Sequence, residues 1–273
     1  GFLGGDYEVI PNGIARDETA PAPRRRDAEG PFRILFVGRN DPRKGLGTLL
    51  EAARRLPEVR IDLVGVGDEE VDALLAADGG RAPAGIVAHG RVSDARRREL
   101  LGSADVLCAP SLSGESFGLV LVEAMSAGVP VVASEIPGYV DVLSGGGGLM
   151  VPPGDAGSLA AALAALARDP DLRRRLTDHL MEERAFQLTG QRAAAENRGN
   201  SGPSAASSVL KNIGSKCRID KSELAVEILG CQGLGWGGEG FARDEVAAIK
   251  TMLRSKAGAI AGGSWEVQLN ITS

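Results

Sequence analysis

From Arg33 onward, short apolar runs alternate with amphipathic stretches, and this alternation narrows the possible architectures more than any other feature of the chain. The runs Ile34 to Val37, Ile61 to Val64, Ile86 to Ala88, Val106 to Ala109 and Val129 to Ala133 are hydrophobic on both faces. Helical patterning fills the intervals at about 47–56, 68–77, 94–103 and 117–127, followed by two further helices at about 156–167 and 170–183. Strands with two apolar faces need cover on both sides, so the expected fold class is α/β, a parallel sheet with helices on both faces. Asp169 and Pro170 mark the start of the second late helix, as a cap and a first-turn proline.

The flanking segments differ in texture. Residues 1–30 read as a connector: Tyr7 to Ile14 suggests a short strand closed by a turn, and a stretch rich in Pro, Ala, Arg and acid follows. Near residue 184 the alternation stops, and Gly199-Asn200-Ser201-Gly202-Pro203 interrupts the chain. The remainder suggests an α-helical tail of two helices, about 204–229 and 243–257, around a glycine-rich loop at 230–240. The expected organisation is therefore a linker at 1–30, an α/β domain at 31–183 and a helical segment at 184–273.

Composition excludes several functions. The net charge of −5 over 273 residues provides no basic field for nucleic acid. The runs Arg24 to Arg26, Arg96 to Arg98 and Arg173 to Arg175 read as solvated faces. Three scattered cysteines without a CxxC pair fit a reducing, cytoplasmic setting, and two distant histidines lack metal-ligand spacing, so no metal is expected. No apolar run is long enough to span a bilayer.

Glu115 and Glu123 stand eight residues apart around the start of a helical pattern. On one helix they would share a side and lie about 12 Å apart along its axis. The N–H groups of Ser116, Phe117 and Gly118 would then face outward from the helix N-terminus, where a phosphate or sugar oxygen is stabilised. Such a carboxylate pair suits a nucleotide sugar, with Glu115 on sugar hydroxyls and Glu123 on the ribose. Gly38-Arg39-Asn40-Asp41-Pro42-Arg43-Lys44-Gly45 places two cations after a strand, where open α/β sheets bind ligands. Arg39 can fork onto a diphosphate, and Lys44 adds a point charge. Gly65-Val66-Gly67 lacks the third glycine of a dinucleotide fingerprint and suits a tight turn near a nucleobase. Asp169-Pro170-Asp171 is formally a DxD but reads as a helix cap. Gly145 to Gly148 reads as a mobile turn into an edge strand.

Taken in order, Ile10-Pro11-Asn12-Gly13, Gly38-Arg39 with Lys44-Gly45, Gly65-x-Gly67, Ser103-Ala104-Asp105-Val106, the Glu-x7-Glu segment and Gly128-Val129-Pro130-Val131-Val132-Ala133 carry a family resemblance. Residues of about 7–180 resemble the donor-binding, C-terminal half of retaining GT-B glycosyltransferases of family 4. Asp41 to Gly45 and Gly114 to Gly118 look closest to the phosphatidylinositol mannosyltransferases. The resemblance implies a Rossmann-like half of a GT-B fold that binds GDP-mannose and serves retaining mannosyl transfer to a lipid acceptor at the inner face of the plasma membrane. It places Arg39 and Lys44 on the diphosphate, Glu115 on the sugar, Glu123 on the ribose and Asp94 near the guanine. Gly38, Ser116, Phe117 and Gly118 complete the donor site, and no cofactor is required. Such enzymes also carry an N-terminal domain that holds the acceptor. This chain begins where that domain would end, so transfer by these residues alone is not expected, because reaction needs the acceptor at near-attack distance.

The tail carries a second resemblance. Ser207 to Lys211, Glu223 to Gly230 with Gln232-Gly233, Arg254-Ser255 and Ile260 to Ile271 resemble the C-terminal helical domain of acyl-CoA dehydrogenases. In that family Gln232, Gly233, Ser264 and Glu266 would help hold FAD. Gly262 stands where many members have a catalytic Glu, and the family's other domains are not in this sequence, so a working flavin site is not expected. The whole chain thus reads as a fusion of two partial enzymes. The alternatives are a flavin-dependent oxidoreductase fragment or a non-catalytic fusion product that oligomerises through an exposed tail.

Overall fold

The structure is a computed structural model that describes residues 30–77, 83, 85–143, 148–197, 205–238, 240–260 and 264. The strand expected near Tyr7 to Ile14 lies outside the described residues, as does the turn expected at Gly145 to Gly148 apart from Gly148, which begins β6. The α/β part runs β1 (Phe32–Val37), α1 (Leu46–Ala53), β2 (Val59–Val64), α2 (Asp68–Ala77), β3 (Ile86–Gly90), α3 (Asp94–Ser103), β4 (Val106–Ala109), α4 (Leu119–Ser126), β5 (Val131–Ser134), α5 (Pro137–Leu143), β6 (Gly148–Val151) and α6 (Ala156–Arg168). The tail follows as α7 (Pro170–Asn197), α8 (Ala205–Leu229) and α9 (Arg243–Lys256).

Six strands form one sheet in the order β3-β2-β1-β4-β5-β6, and all pairings are parallel. Four of the five apolar runs supply residues to two layers, and the edge run Ile86 to Ala88 supplies only one. Ile34, Phe36, Ile61 and Leu63 pack on one face with Leu49, Leu50 and Leu163 of α1 and α6. Leu35, Val64, Leu107 and Val131 pack on the other with Leu100, Leu121 and Tyr139 of α3, α4 and α5. The crossovers from β1 to β2 and from β3 to β4 therefore use opposite faces. The topology reverses between β1 and β4, the switch point at which open α/β sheets carry their ligand crevice. Cys108 is buried in β4, and burial pushes its thiol well up, which makes it inert packing.

The buried Asp62 of β2 is the main polar exception. Its Oδ1 lies 2.8 Å from Arg60 Nη2 and 2.7 Å from His89 Nε2. Burial alone would raise its pKa, but hydrogen bonds from Arg60 and His89 more than reverse that and hold it low.

The helix expected at 170–183 continues to Asn197, so the change of texture near 184 falls within α7. Residues 184–197 include Ala, Arg, Gln, Leu and Glu, which propagate a helix once it is nucleated. Asp169 Oδ1 accepts from the N–H groups of Asp171 and Leu172, which confirms a cap in place of a metal-binding DxD. The tail packs on the sheet domain. Leu172 and Leu176 of α7 and Leu224 of α8 join the buried cluster around β1 and β2, and Arg175 Nη1 meets Glu227 Oε1 at 2.8 Å. Leu224→Ala should therefore cost about 2–5 kcal/mol in chemical denaturation and lower the stability of the whole α/β core. A cost near zero would mean that α8 is only appended to it.

Candidate functional site

The crevice is built from the β1–α1 and β4–α4 loops. After β1, Asp41 caps a single 3-10 turn over Pro42–Lys44 by accepting from the Arg43 N–H at 2.9 Å. The Arg43 guanidinium closes on the same carboxylate, and these bonds hold Asp41 down at about 2. Gly45 then takes φ +69, and a Cβ there would lie 1.9 Å from the Pro110 carbonyl oxygen. Only glycine lets the loop lie so close to the end of β4. Leu112 N–H donates to the Arg43 carbonyl at 2.7 Å, and Lys44 Nζ meets Glu115 Oε1 at 2.5 Å. Two loops 71 residues apart in sequence are thus joined by backbone contact and an ion pair.

One expectation is corrected here. α4 begins at Leu119, and Gly118 is its N-cap at φ +67, a left-handed conformation that a right-handed helix cannot include. Glu115 therefore lies in the loop before the helix, and helical spacing does not relate it to Glu123. The N–H groups of Ser116, Phe117 and Gly118 likewise belong to that loop and not to the first turn. A Cβ on Gly118 would stand 2.7 Å from the Tyr139 ring, so the glycine also allows α5 to pack beneath the loop.

Gly38 follows β1 and donates to the Val64 carbonyl, and the next residue, Arg39, is exposed. Arg39, Asn40, Gly65, Gly67, Glu70, Gly90 and Arg91 line a cleft of about 460 Å³ at the carboxyl ends of β1, β2 and β3. Gly65 has φ +91, and a Cβ there would press on the Gly38 carbonyl oxygen, as a tight turn requires. The Gly67 N–H donates to Glu70 Oε2 at 2.8 Å, and Asp68, Glu69 and Glu70 fill the first turn of α2. That helix start is already satisfied by its own carboxylate, which argues against a dinucleotide phosphate there.

Glu123 projects from α4 toward α3. Its Oε2 accepts from Arg97 Nη1 at 2.9 Å, and Arg97 Nη2 reaches Asp94 Oδ1 at 3.3 Å. Arg97 therefore links the expected ribose and guanine carboxylates, whereas the run Arg96 to Arg98 was expected to be a solvated face. Tyr139 was also missed: it is buried, and its phenol oxygen lies 2.9 Å from Ser111 Oγ, which in turn reaches Glu115 Oε1 at 3.4 Å. Arg91 and Asn40 complete the missed lining residues; only proximity in the folded sheet reveals them.

Of the tail residues, Gly233 lies in a short 3-10 turn over Gly230–Leu234, where a Cβ would meet the Val226 carbonyl oxygen at 2.4 Å. Close packing on α8 is enough to explain that glycine. Ser264 is half-buried, the Gln232 side chain is not described, and Glu266 lies outside the described residues. Among the described residues, no cluster of three or more His, Cys, Asp or Glu is placed to hold a metal ion, and no helix is long and apolar enough to cross a membrane.

A doubly wound parallel sheet with helices on both faces defines an α/β protein of the Rossmann-like class. Residues 20–179 match the family model of glycosyl transferases group 1, and the chain belongs to that family. It is 45% identical over 184 residues to the phosphatidyl-myo-inositol mannosyltransferase of Mycobacterium leprae, covering 63% of this chain and 47% of that protein. It is 44% identical over 178 residues to the Mycolicibacterium smegmatis protein of the same name, covering 63% and 45%. The chain thus spans about half the length of the curated relatives it matches. A lipopolysaccharide outer core galactosyltransferase shares the fold, with a TM-score of 0.50 at 22% identity over 63% of this chain and 51% of that one. Residues 155–273 match the acyl-CoA dehydrogenase C-terminal domain, so α6 and the start of α7 are common to both matches.

If Gly45 holds the two loops together, Gly45→Ala should destabilise the domain by at least about 1–3 kcal/mol, the cost of a left-handed non-glycine residue alone. A denaturation midpoint unchanged from wild type would mean that the loops are not held this way.

Proposed function

We propose that these residues form the donor side of a retaining mannosyltransferase and bind a nucleotide sugar, GDP-mannose, at the β1/β4 switch point. The observation that carries this reading is the junction of Lys44 and Glu115 between the β1 and β4 loops, with the exposed Arg39 on the same β1 loop and in no ion pair among the described residues. A diphosphate entering between Arg39 and Lys44 meets two cations, one of them preorganised by a carboxylate. Lys44 can then turn toward phosphate, which leaves Glu115 to accept hydroxyls of the sugar. Among the described residues Arg97 engages Oε2 of Glu123, which leaves Oε1 as an acceptor for ribose hydroxyls. Arg39 and Lys44 would stabilise the charge that develops on the leaving diphosphate, and Asp94 would face the base from the start of α3.

The high identity to phosphatidyl-myo-inositol mannosyltransferases supports mannose as the sugar and an inositol lipid as the acceptor, met at a membrane surface by a cytoplasmic, peripheral protein. The residues described here supply one wall of such a cleft. Donor binding is assigned to these residues, and transfer to a cleft that they form together with an acceptor-holding lobe.

Thermal unfolding with millimolar GDP, UDP and ADP tests the donor assignment. Ligand binding to the native state stabilises it by RT ln(1 + [L]/Kd), about 2.7 kcal/mol at one hundred times Kd. GDP should raise the midpoint more than UDP or ADP, and Glu123→Ala should abolish most of the shift. Equal shifts with all three nucleotides would remove the guanine assignment, and no shift would remove the donor site.

A further inference from the structure

We propose that Tyr139 is a positioning residue for Glu115: acting through Ser111, its phenol fixes which carboxylate oxygen is presented to the bound sugar. This inference rests on the donor-site reading above and adds a residue that the reading does not use. Tyr139 and Ser111 are each 1% exposed, so both hydroxyls depend on partners inside the protein. The Ser111 hydroxyl has a single proton and donates it to Glu115 Oε1 at 3.4 Å. The 2.9 Å contact between Ser111 Oγ and Tyr139 must then be donated by the phenol. Burial pushes Tyr139 up to about 12, with the Glu115 charge adding to the effect, so the phenol keeps its proton throughout the neutral range.

The relay ends on the oxygen that Lys44 already holds. Glu115 Oε1 thus receives Lys44 at 2.5 Å and Ser111 at 3.4 Å, and these bonds leave Oε2 as the free acceptor of the carboxylate. When Lys44 turns to phosphate, Ser111 remains as the anchor of Oε1. The phenol in turn is fixed from two sides. A Cβ on Gly138 would stand 2.0 Å from the Glu115 carbonyl oxygen, so α5 touches the backbone of the residue it orients. A Cβ on Gly118 would strike the Tyr139 ring at 2.7 Å. Two glycines therefore bring ring and loop into direct contact, which a tyrosine serving only as core filling would not need.

Isothermal titration of the full chain with GDP and with GDP-mannose, for wild type, Tyr139→Phe, Ser111→Ala and the double variant, tests the proposal. Tyr139→Phe keeps the ring and removes only the hydroxyl. It should weaken GDP-mannose about threefold to tenfold while GDP changes by less than about twofold, because the lost hydrogen bond acts on the sugar alone. The double variant should match Ser111→Ala within about twofold, since both residues serve one relay. Equal weakening of both ligands, or an unchanged GDP-mannose affinity, would overturn the proposal. If wild type binds neither ligand, the donor-site reading fails, and amide hydrogen exchange over residues 111–118 then decides the positioning role. Tyr139→Phe should speed exchange there about threefold to tenfold and leave the strands unchanged; unchanged exchange in the loop would overturn it.

Discussion

The contact between Lys44 and Glu115 depends on a topological fact, and the rest of the site depends on that contact. Strand order β3-β2-β1-β4-β5-β6 sends the β1 loop to one face and the β4 loop to the other, which leaves a crevice where they part. Left alone, two such loops would expose backbone to water and move independently. Here Gly45 packs on the Pro110 carbonyl oxygen, Leu112 bonds the Arg43 carbonyl, and the ion pair completes the seam. Because both side chains are less than a third exposed, the pair is screened less than a surface bridge and holds a defined geometry. It places a cation and an acceptor side by side, as a ligand with an anionic and a hydroxylated part requires.

Charge placement around the crevice discriminates between ligand positions. The start of α2 carries three acids and satisfies the Gly67 N–H with its own Glu70. A diphosphate would meet repulsion there, whereas Arg39 and Lys44 lie in the loop after β1. The glycines at 65 and 67 thus serve a close turn that shapes the cleft. Arg97 extends the polar surface by bridging Asp94 on α3 and Glu123 on α4, which ties the two helices that flank the other end of the site.

Much of the fold was legible because it rests on local pattern. α2 and α3 occur at the expected bounds, β4 likewise; β1, β2 and β3 each extend the expected run by two residues, and β5 starts two residues later and ends one later. The place of Gly38, Arg39 and Lys44 in a loop after a parallel strand was legible because the apolar run Ile34 to Val37 marks that strand's end. The start of α4 was misread because Leu119 to Met125 continues a helical pattern backward through Gly118, and sequence does not display a positive φ. Arg97 was absorbed into a basic run because its partner lies 26 residues away on another helix. Nothing in the sequence singles out Tyr139, since its hydroxyl partner is visible only when α5 docks under the loop. The length of α7 was underestimated because the change in family pattern near 184 is not a change in helical propensity.

The most direct test of this account is a crystal structure of the chain with GDP-mannose. The account predicts diphosphate oxygens within about 3 Å of both the Arg39 guanidinium and Lys44 Nζ, with Glu115 turned to the sugar and its Oε1 still held by Ser111. A diphosphate seated at the start of α2, with the Lys44–Glu115 pair intact and unoccupied by ligand, would contradict it.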